Sequence, residues 1–188
     1  MRGTVPIRTF VRQPFTESGE GERSIVQGVL DVLGTLNGQP GPVQLLTGTS
    51  AQSQDTFRQT FESESGLSFN PTNFRNARLN LLRSADAMVV VRTSLSESGA
   101  FEVAYNIFGG RRIPMFFAVW RPAPIKTTLL RDLEELCDTS YVAFDQPDEL
   151  RPALMDFFNK IAPREAAASP VKSPLANKEF RLASPPQD

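Results

Sequence analysis

Short apolar runs alternate with amphipathic stretches along the first 162 residues of the chain. Short runs of apolar and β-branched residues are typical of strands, whereas apolar residues spaced three and four apart indicate helices that pack by one face. The 87–91 run is apolar at every position, which is typical of a strand covered on both faces in a parallel sheet. The runs predict strands over 5–11, 43–46, 87–91, 113–120 and 141–144.

The amphipathic stretches between these strands predict helices. Asn70 as a cap and Pro71 at the first helical position mark the start of one of them. Strands that alternate with helices favour an α/β fold, a single doubly wound, flavodoxin-like or Rossmann-like parallel sheet of about five strands flanked by helices. The predicted helices cover 25–36, 71–85, a stretch from Gly99 to Gly109, 126–136 and 150–161.

Two segments break this alternation. Residues 47–69 are rich in Ser, Thr, Gln and Glu and form a candidate lid or binding loop, in which Phe57 and Phe61 predict a short helix packed onto the body. Residues 163–188 are rich in Pro, Ala and Ser and hold a single aromatic residue. We therefore expect one domain over 1–162 and a flexible tail over 163–188.

The composition limits the chemistry that the chain can perform. None of the 188 residues is histidine, which excludes a Ser-His-Asp triad, a Cys-His dyad and a His-ligated zinc. The only cysteine, Cys137, can form no internal disulfide, and we expect a quiet, partly buried thiol. Acid–base work falls to carboxylates, Lys, Tyr or Cys137, and we expect neither a cofactor nor a metal.

The charge balance disfavours large anionic partners. With 20 basic and 21 acidic residues, the net charge of -1 gives no general attraction to nucleic acid or to an anionic membrane. The N-terminus lacks the apolar core of a signal peptide, and no apolar run approaches the ~20 residues that span a bilayer. We expect a soluble, cytoplasmic protein with no nucleic-acid or membrane partner.

Candidate chemistry is concentrated at 94–105 (SLSESGAFEVAY), directly after the most apolar predicted strand. Small and hydroxylated residues between a strand and a helix leave backbone N–H groups free for an anion the size of a phosphate. Glu102, about one turn into the helix, could be a nucleophile or a general base. If Gly99 caps the helix, Glu102 instead reaches back to the cap, and the residues alone favour this second interpretation.

The stretch 85–114 resembles the nucleoside 2-deoxyribosyltransferase family, which includes nucleoside 5'-monophosphate N-glycosidases. The residues that carry the resemblance are an aspartate before an apolar strand (85–91, ADAMVVV), a Gly-x-x-Glu-x-x-Tyr signature formed by Gly99, Glu102 and Tyr105, and a basic turn into the next strand (112–114, RIP). The order of strands and helices extends the resemblance more loosely over the rest of the domain.

The resemblance implies an enzyme that cleaves or transfers the N-glycosidic bond of a small-molecule nucleoside or nucleoside 5'-monophosphate. Glu102 matches the family's catalytic glutamate, which attacks the anomeric carbon and forms a glycosyl-enzyme ester. Ser96, Ser98 and Gly99 match the turn that binds the 5' end of the sugar or its phosphate, and Tyr105 matches the substrate-binding end of the signature. Because neighbouring subunits often complete the pocket in this family, the resemblance also implies a homo-oligomer.

The first predicted strand leads into a second candidate segment. Residues 10–15 fall where the family places residues around the base and sugar. Arg12 could pair with a phosphate and Phe15 could stack on a base, but a solvent-facing arginine and a core phenylalanine explain the two residues equally well.

Two features of the family are missing. The helix before the third strand usually carries an acidic residue that orients substrate or protonates the leaving base, and the aligned place here is 76–79 (NARL). Many transferases also carry an aspartate just before the signature, where this chain has Thr93, Ser94 and Glu97. The alternatives are therefore a catalytically silent nucleotide-binding module of the same fold and a protein that retains only the fold.

Other residues near predicted element ends have simpler explanations. Arg111 and Arg112 follow a helix exit, where capping is favoured over phosphate contact. Trp120 and Arg121 could border the pocket, although burial alone would explain the tryptophan.

Overall fold

Five parallel strands form one sheet in the structure, a computed structural model that describes residues 5–13, 20–36, 43–46, 54–109 and 111–161. The strand order is β2-β1-β3-β4-β5, so the predicted α/β fold is confirmed. The strands are β1 (Ile7–Arg12), β2 (Val43–Leu46), β3 (Ala87–Arg92), β4 (Met115–Trp120) and β5 (Thr139–Phe144). The helices are α1 (Glu20–Gly34), α2 (Gln54–Ser65), α3 (Pro71–Ser84), α4 (Glu97–Phe108) and α5 (Arg151–Asn159).

Apolar cores cover both faces of the sheet. Successive side chains of a strand point to opposite faces, and on β3 Val89 and Val91 join the core under α1 and α5, whereas Met88 and Val90 join the core under α3 and α4. This double coverage explains why 87–91 is apolar at every position. The sheet is therefore doubly wound, with its carboxyl-terminal edge free to carry a site.

Helix α2 occupies most of the segment that the sequence marks as a candidate lid. Its residues Phe57 and Phe61 contact Phe69 and Phe74 edge to face, with ring centroids 5.3–5.7 Å apart. Phe61 is buried, so the predicted short helix packed onto the body is confirmed. Residues 47–53 lie outside the described residues.

α4 begins two residues before Gly99, near which its start was predicted. The helix begins at Glu97 because Ser96 caps it, its Oγ accepting a hydrogen bond from the backbone N–H of Gly99 at 3.1 Å. Glu102 therefore lies beyond the first turn and does not serve as the capping-box glutamate. The start of α3 is as predicted, since Asn70 accepts a hydrogen bond from the Asn73 N–H at 2.8 Å.

The predicted helix over 126–136 is wrong. Arg131 is extended and Asp132 is left-handed, with a φ of 52°, which breaks any helix at this point. The guanidinium of Arg131 donates to the backbone carbonyl of Ile125 at 2.8 Å, which holds the break in place. Two short 3-10 turns stand where the helix was predicted, at Thr128–Leu130 and Leu133–Glu135.

Several strand boundaries differ by one or two residues from the predictions. β1 and β5 begin at Ile7 and Thr139 rather than at residues 5 and 141, and β1 runs on to Arg12. β4 begins after Ile113 because the side-chain amide of Asn106 forms hydrogen bonds with the backbone carbonyl and N–H of Ile113, at 2.9 and 3.1 Å.

A partly buried ion pair ties β1 to β3 at the edge of the sheet opposite their carboxyl ends. Asp86 accepts two side-chain hydrogen bonds from Arg8, at 3.0 and 2.9 Å, and one from the Arg8 backbone N–H at 3.0 Å. The hydrogen bond to Asp86 raises the pKa of Arg8. The aspartate before the apolar strand is therefore a structural residue here. No helix in the described ranges is long and apolar enough to cross a membrane.

Candidate active site

A cleft opens where the carboxyl ends of β1 and β3 lie side by side. The strand order reverses direction between these two strands, and open α/β sheets bind ligands at such a switch point. β1 ends at Arg12, β3 ends at Arg92, and residues 93–96 lead from β3 into α4. The cleft is small and open, and Glu102 lies beside it, behind Arg12, rather than in its lining. The residues that line it are Arg12, Val90, Val91, Arg92, Ser94, Ser96, Gly99, Ala100, Val103, Phe117, Ile125 and Leu130.

Glu102 lies between two arginine side chains at this site. Its Oε1 accepts a hydrogen bond from Arg78 Nε at 2.9 Å, and its Oε2 lies 3.5 Å from Arg12 Nε. Glu102 and Arg78 are 5% and 7% exposed. Glu102 Oε2 is buried and makes no hydrogen bond with any described residue. Because buried carboxylate oxygens normally accept a hydrogen bond, this oxygen, which has only the ion pair with Arg12, is a candidate reactive atom.

Arg12 joins Glu102 to the turn that precedes α4. Its Nη2 donates to the hydroxyl oxygens of Ser96 and Ser98, at 2.6 Å each. Burial lowers the pKa of the Arg12 guanidinium, the charge of Glu102 opposes this shift, and Arg78 adds to it. With 11% of its side chain exposed, Arg12 is not the solvent-facing arginine that was one interpretation of the sequence.

Gly99 lies where Arg12 passes the start of α4. A Cβ atom at this position would stand 3.1 Å from Ser96 Oγ and 3.3 Å from Arg12 Nε, closer than ordinary van der Waals contact. A glycine therefore accommodates the close approach of these side chains, and its backbone conformation does not call for one. The structure thus brings together five of the predicted site residues, namely Arg12, Ser96, Ser98, Gly99 and Glu102.

Arg78 occupies the helical position where the resemblance implies an acid. Its guanidinium carbon lies 4.4 Å from the ring centroid of Phe10, and its Nε holds Glu102. Sequence reasoning noted the missing carboxylate but did not place the arginine in the site. A signal was present, because Arg78 lies midway between Phe74 and Leu82 at spacings of four, on the stripe that faces the core.

Tyr105 is a predicted substrate-binding residue that neither lines the cleft nor forms a hydrogen bond with Arg12. Tyr105 follows Glu102 on α4, and its hydroxyl accepts a hydrogen bond from Arg83 Nε at 2.8 Å. It is not among the described residues that line the cleft. Phe15 lies outside the described residues.

The remaining candidate residues have local partners. Arg112 Nε donates to the carbonyl of Ile107 in the last turn of α4 at 3.2 Å, which confirms the capping interpretation. Arg121 pairs with Asp145 and Glu149 at the surface. Cys137 is buried, and burial raises the pKa of its thiol.

Within the described residues, no three Asp, Glu or Cys side chains are grouped so that they could hold a metal ion.

Fold and site together define a Rossmann-like α/β domain with a cleft at the β1–β3 switch point, where arginine and serine residues lie among apolar ones and a buried glutamate lies beside Arg12. No family model and no curated protein matches the chain. Among solved structures it is similar to the CMP N-glycosidase BcmB of Clostridium botulinum, with a TM-score of 0.53 and 12% identity over 80% of this chain and 98% of that one. At this identity the likeness establishes a shared fold, and a fold alone does not fix a function.

Proposed function

We propose that this protein cleaves the N-glycosidic bond of a nucleoside or nucleotide, with Glu102 as the nucleophile. The observation that carries the proposal is the buried Oε2 of Glu102, which has no hydrogen bond and lies beside the Arg12 guanidinium that holds Ser96 and Ser98. BcmB, which shares the fold, is a CMP N-glycosidase, and this supports the same general class of reaction.

Arg12 and the start of α4 bind the 5' end of the substrate in this proposal. Ser96, Ser98 and the first backbone N–H groups of a 12-residue helix face one region, where an anion is stabilised by hydrogen bonds and by the helix dipole. The Arg12 guanidinium, already bonded to both serines, forms charge-assisted hydrogen bonds with the incoming phosphate. Phosphate binding draws the Arg12 guanidinium away from Glu102. Without ligand, Arg12 Nε lies 3.5 Å from Glu102 Oε2 and makes no hydrogen bond to it.

Glu102 then attacks the sugar with the oxygen that Arg78 does not hold. A lone pair of Oε2 forms the bond to the anomeric carbon, the bond from that carbon to the base breaks, and the base leaves with the electron pair and takes a proton from water. Arg78 fixes Oε1 and so sets the direction of Oε2. Attack by water on the glycosyl ester releases the sugar, whereas attack by a second base forms a new nucleoside. Either step restores the carboxylate, and the proton of the attacking group passes to solvent.

The second candidate function is a nucleotide-binding module without catalysis, and one contact favours it. Arg78 donates to Glu102 at 2.9 Å and stands where the family carries an acid. A guanidinium in that place withdraws negative charge from the carboxylate and cannot protonate a leaving base. In this case Glu102 serves only to compensate two buried arginines.

Base release and binding measured side by side separate the two functions. The full chain is incubated with a panel of nucleosides and nucleoside 5'-phosphates, free base is detected by chromatography, and binding is measured by calorimetry. The proposed glycosidase releases base from at least one member, and Glu102→Ala abolishes that release. Binding without release supports the silent module, and release that survives Glu102→Ala rejects the mechanism.

A further inference from the structure

Arg92 is a third buried arginine at the cleft, and the mechanism above leaves it unused. It is the last residue of β3, lines the cleft and is 7% exposed. Its side chain makes no hydrogen bond or ion pair with any residue that the structure describes, and its Nε is buried without a partner. Two residues on, Ser94 also lines the cleft, and its hydroxyl oxygen is likewise buried and unpaired.

A buried guanidinium nitrogen without an acceptor is costly, because its hydration is lost and nothing replaces it, and in Arg92 this applies to Nε. The other buried arginines of the sheet edge are compensated, since Arg12 and Arg78 both face Glu102. Burial lowers the pKa of Arg92, and no carboxylate opposes that shift. An anionic group of a ligand is the partner that would satisfy Arg92 and Ser94 together.

The strand register places Arg92 beside Arg12 but not at the same point. Arg12 is the partner of Val90 across the β1–β3 ladder, and Arg92 follows Val90 by two residues on the same face of β3. With strands ~4.8 Å apart and a rise of ~3.3 Å per residue, the two arginine Cα atoms are roughly 8 Å apart along a diagonal. Arg12 is bonded to the hydroxyl oxygens of Ser96 and Ser98, whereas Arg92 Nε and the hydroxyl oxygen of Ser94 have no hydrogen-bond partner.

We infer that Arg92 and Ser94 form a second anion subsite beside the one at Arg12, and that the cleft selects nucleotides with more than one phosphate, such as nucleoside diphosphates. The inference rests on the proposed function for the nature of the ligand. It makes Arg92 a residue that determines specificity, while Glu102 keeps its role at the sugar.

Calorimetry of the full chain with CMP, CDP, AMP and ADP tests the inference without requiring turnover. The wild-type protein is expected to bind at least one diphosphate about tenfold more tightly than the matching monophosphate, as one charge-assisted contact allows. In Arg92→Gln the ratio of diphosphate affinity to monophosphate affinity falls towards one, and in Arg92→Lys part of the preference is kept. Arg121→Gln, which removes a surface arginine from the end of the next strand, keeps the wild-type preference and is the matched control.

Equal affinity for mono- and diphosphate, no binding of any of the four nucleotides, or a preference that survives in Arg92→Gln overturns the inference. If Arg92→Gln does not fold by circular dichroism, displacement of bound nucleotide decides, with pyrophosphate expected to displace it at lower concentration than inorganic phosphate. Equal displacement by the two anions also overturns it. A diphosphate preference without any base release would reject the proposed glycosidase while leaving the subsite standing.

Discussion

Glu102 is held as a buried carboxylate by Arg78 on one oxygen and is faced by Arg12 on the other. Removing these charges from water costs several kcal/mol per ion, and mutual attraction repays that cost only while the partners remain together. Loss of one partner therefore leaves an uncompensated charge in the core. The contacts that position Glu102 are also contacts that the fold depends on.

A double-mutant cycle on Arg78 and Glu102 measures this coupling. Arg78→Met and Glu102→Gln are each expected to lower the free energy of unfolding, by about 3–5 kcal/mol where the remaining charge stays buried. The double variant loses less than the sum, with a coupling energy of about 1–3 kcal/mol measured by urea denaturation. Losses that add within ~0.5 kcal/mol would show that the two residues do not act as a pair.

At the residue scale, members of the candidate site could be predicted from the sequence only where they belong to a local motif. Glu102, Ser96, Ser98 and Gly99 fall in one continuous signature, so they could be identified without knowledge of the fold. The contact of Arg78 with Glu102 joins two helices, α3 and α4, whose side chains meet over the same face of the sheet. No local pattern reports such a contact, and spacing alone places Arg78 towards the core without naming its partner.

At the scale of elements, the turn before α4 combines a structural and a binding role. Ser96 caps the helix through the Gly99 N–H and also accepts a hydrogen bond from Arg12, whereas Ser98 only accepts from Arg12. Substitution of Ser96 should therefore affect both helix stability and the position of Arg12, whereas substitution of Ser98 should affect only the position of Arg12.

Ser96→Ala and Ser98→Ala form a matched pair. Ser96→Ala is expected to lower the free energy of unfolding by about 1 kcal/mol through loss of the cap, and Ser98→Ala by less than half of that. Both variants weaken nucleotide binding, because each removes an acceptor that positions Arg12. Thermal denaturation and calorimetry give the two readouts. Equal destabilisation by both substitutions would contradict the capping role of Ser96.

The helix wrongly predicted over 126–136 shows where periodicity fails. Leu129 is 85% exposed, while Leu133 is buried, so the apolar residues of this segment do not form one buried stripe. Side-chain bonds from Arg131 to the Ile125 carbonyl and from Tyr141 to the Leu130 carbonyl satisfy the backbone instead of a helix. Helical spacing contains no information about such competing bonds.

At the scale of the whole molecule, the alternation of strands and helices was enough to predict a doubly wound parallel sheet. The order of the strands was not predicted, because it depends on which side of β1 each crossover returns to. That order decides the site, since it places the ends of β1 and β3 together at the switch point. The homo-oligomer implied by the resemblance stays a prediction, which analytical ultracentrifugation of the full chain would measure.

The division into a domain and a tail predicts that residues 1–162 suffice for folding and binding. The described residues end at Ile161, just after α5. Leu154, Phe157 and Phe158 of this helix are buried in the core. A chain ending at Ala162 is expected to keep the melting temperature and nucleotide affinity of the full chain. A fall of several degrees, or a loss of binding, would show that residues 163–188 contribute to the domain.

The central claim is that Glu102 attacks the sugar, and kcat/KM for base release tests it most directly. On the best substrate of the panel, Glu102→Gln is expected to lose about 10³-fold or more, because an amide of the same shape cannot form the glycosyl ester. Glu97→Gln, an exposed glutamate at the start of the same helix, keeps wild-type activity. A Glu102→Gln enzyme within tenfold of wild type, or a wild type that releases no base from any nucleotide, would contradict the account.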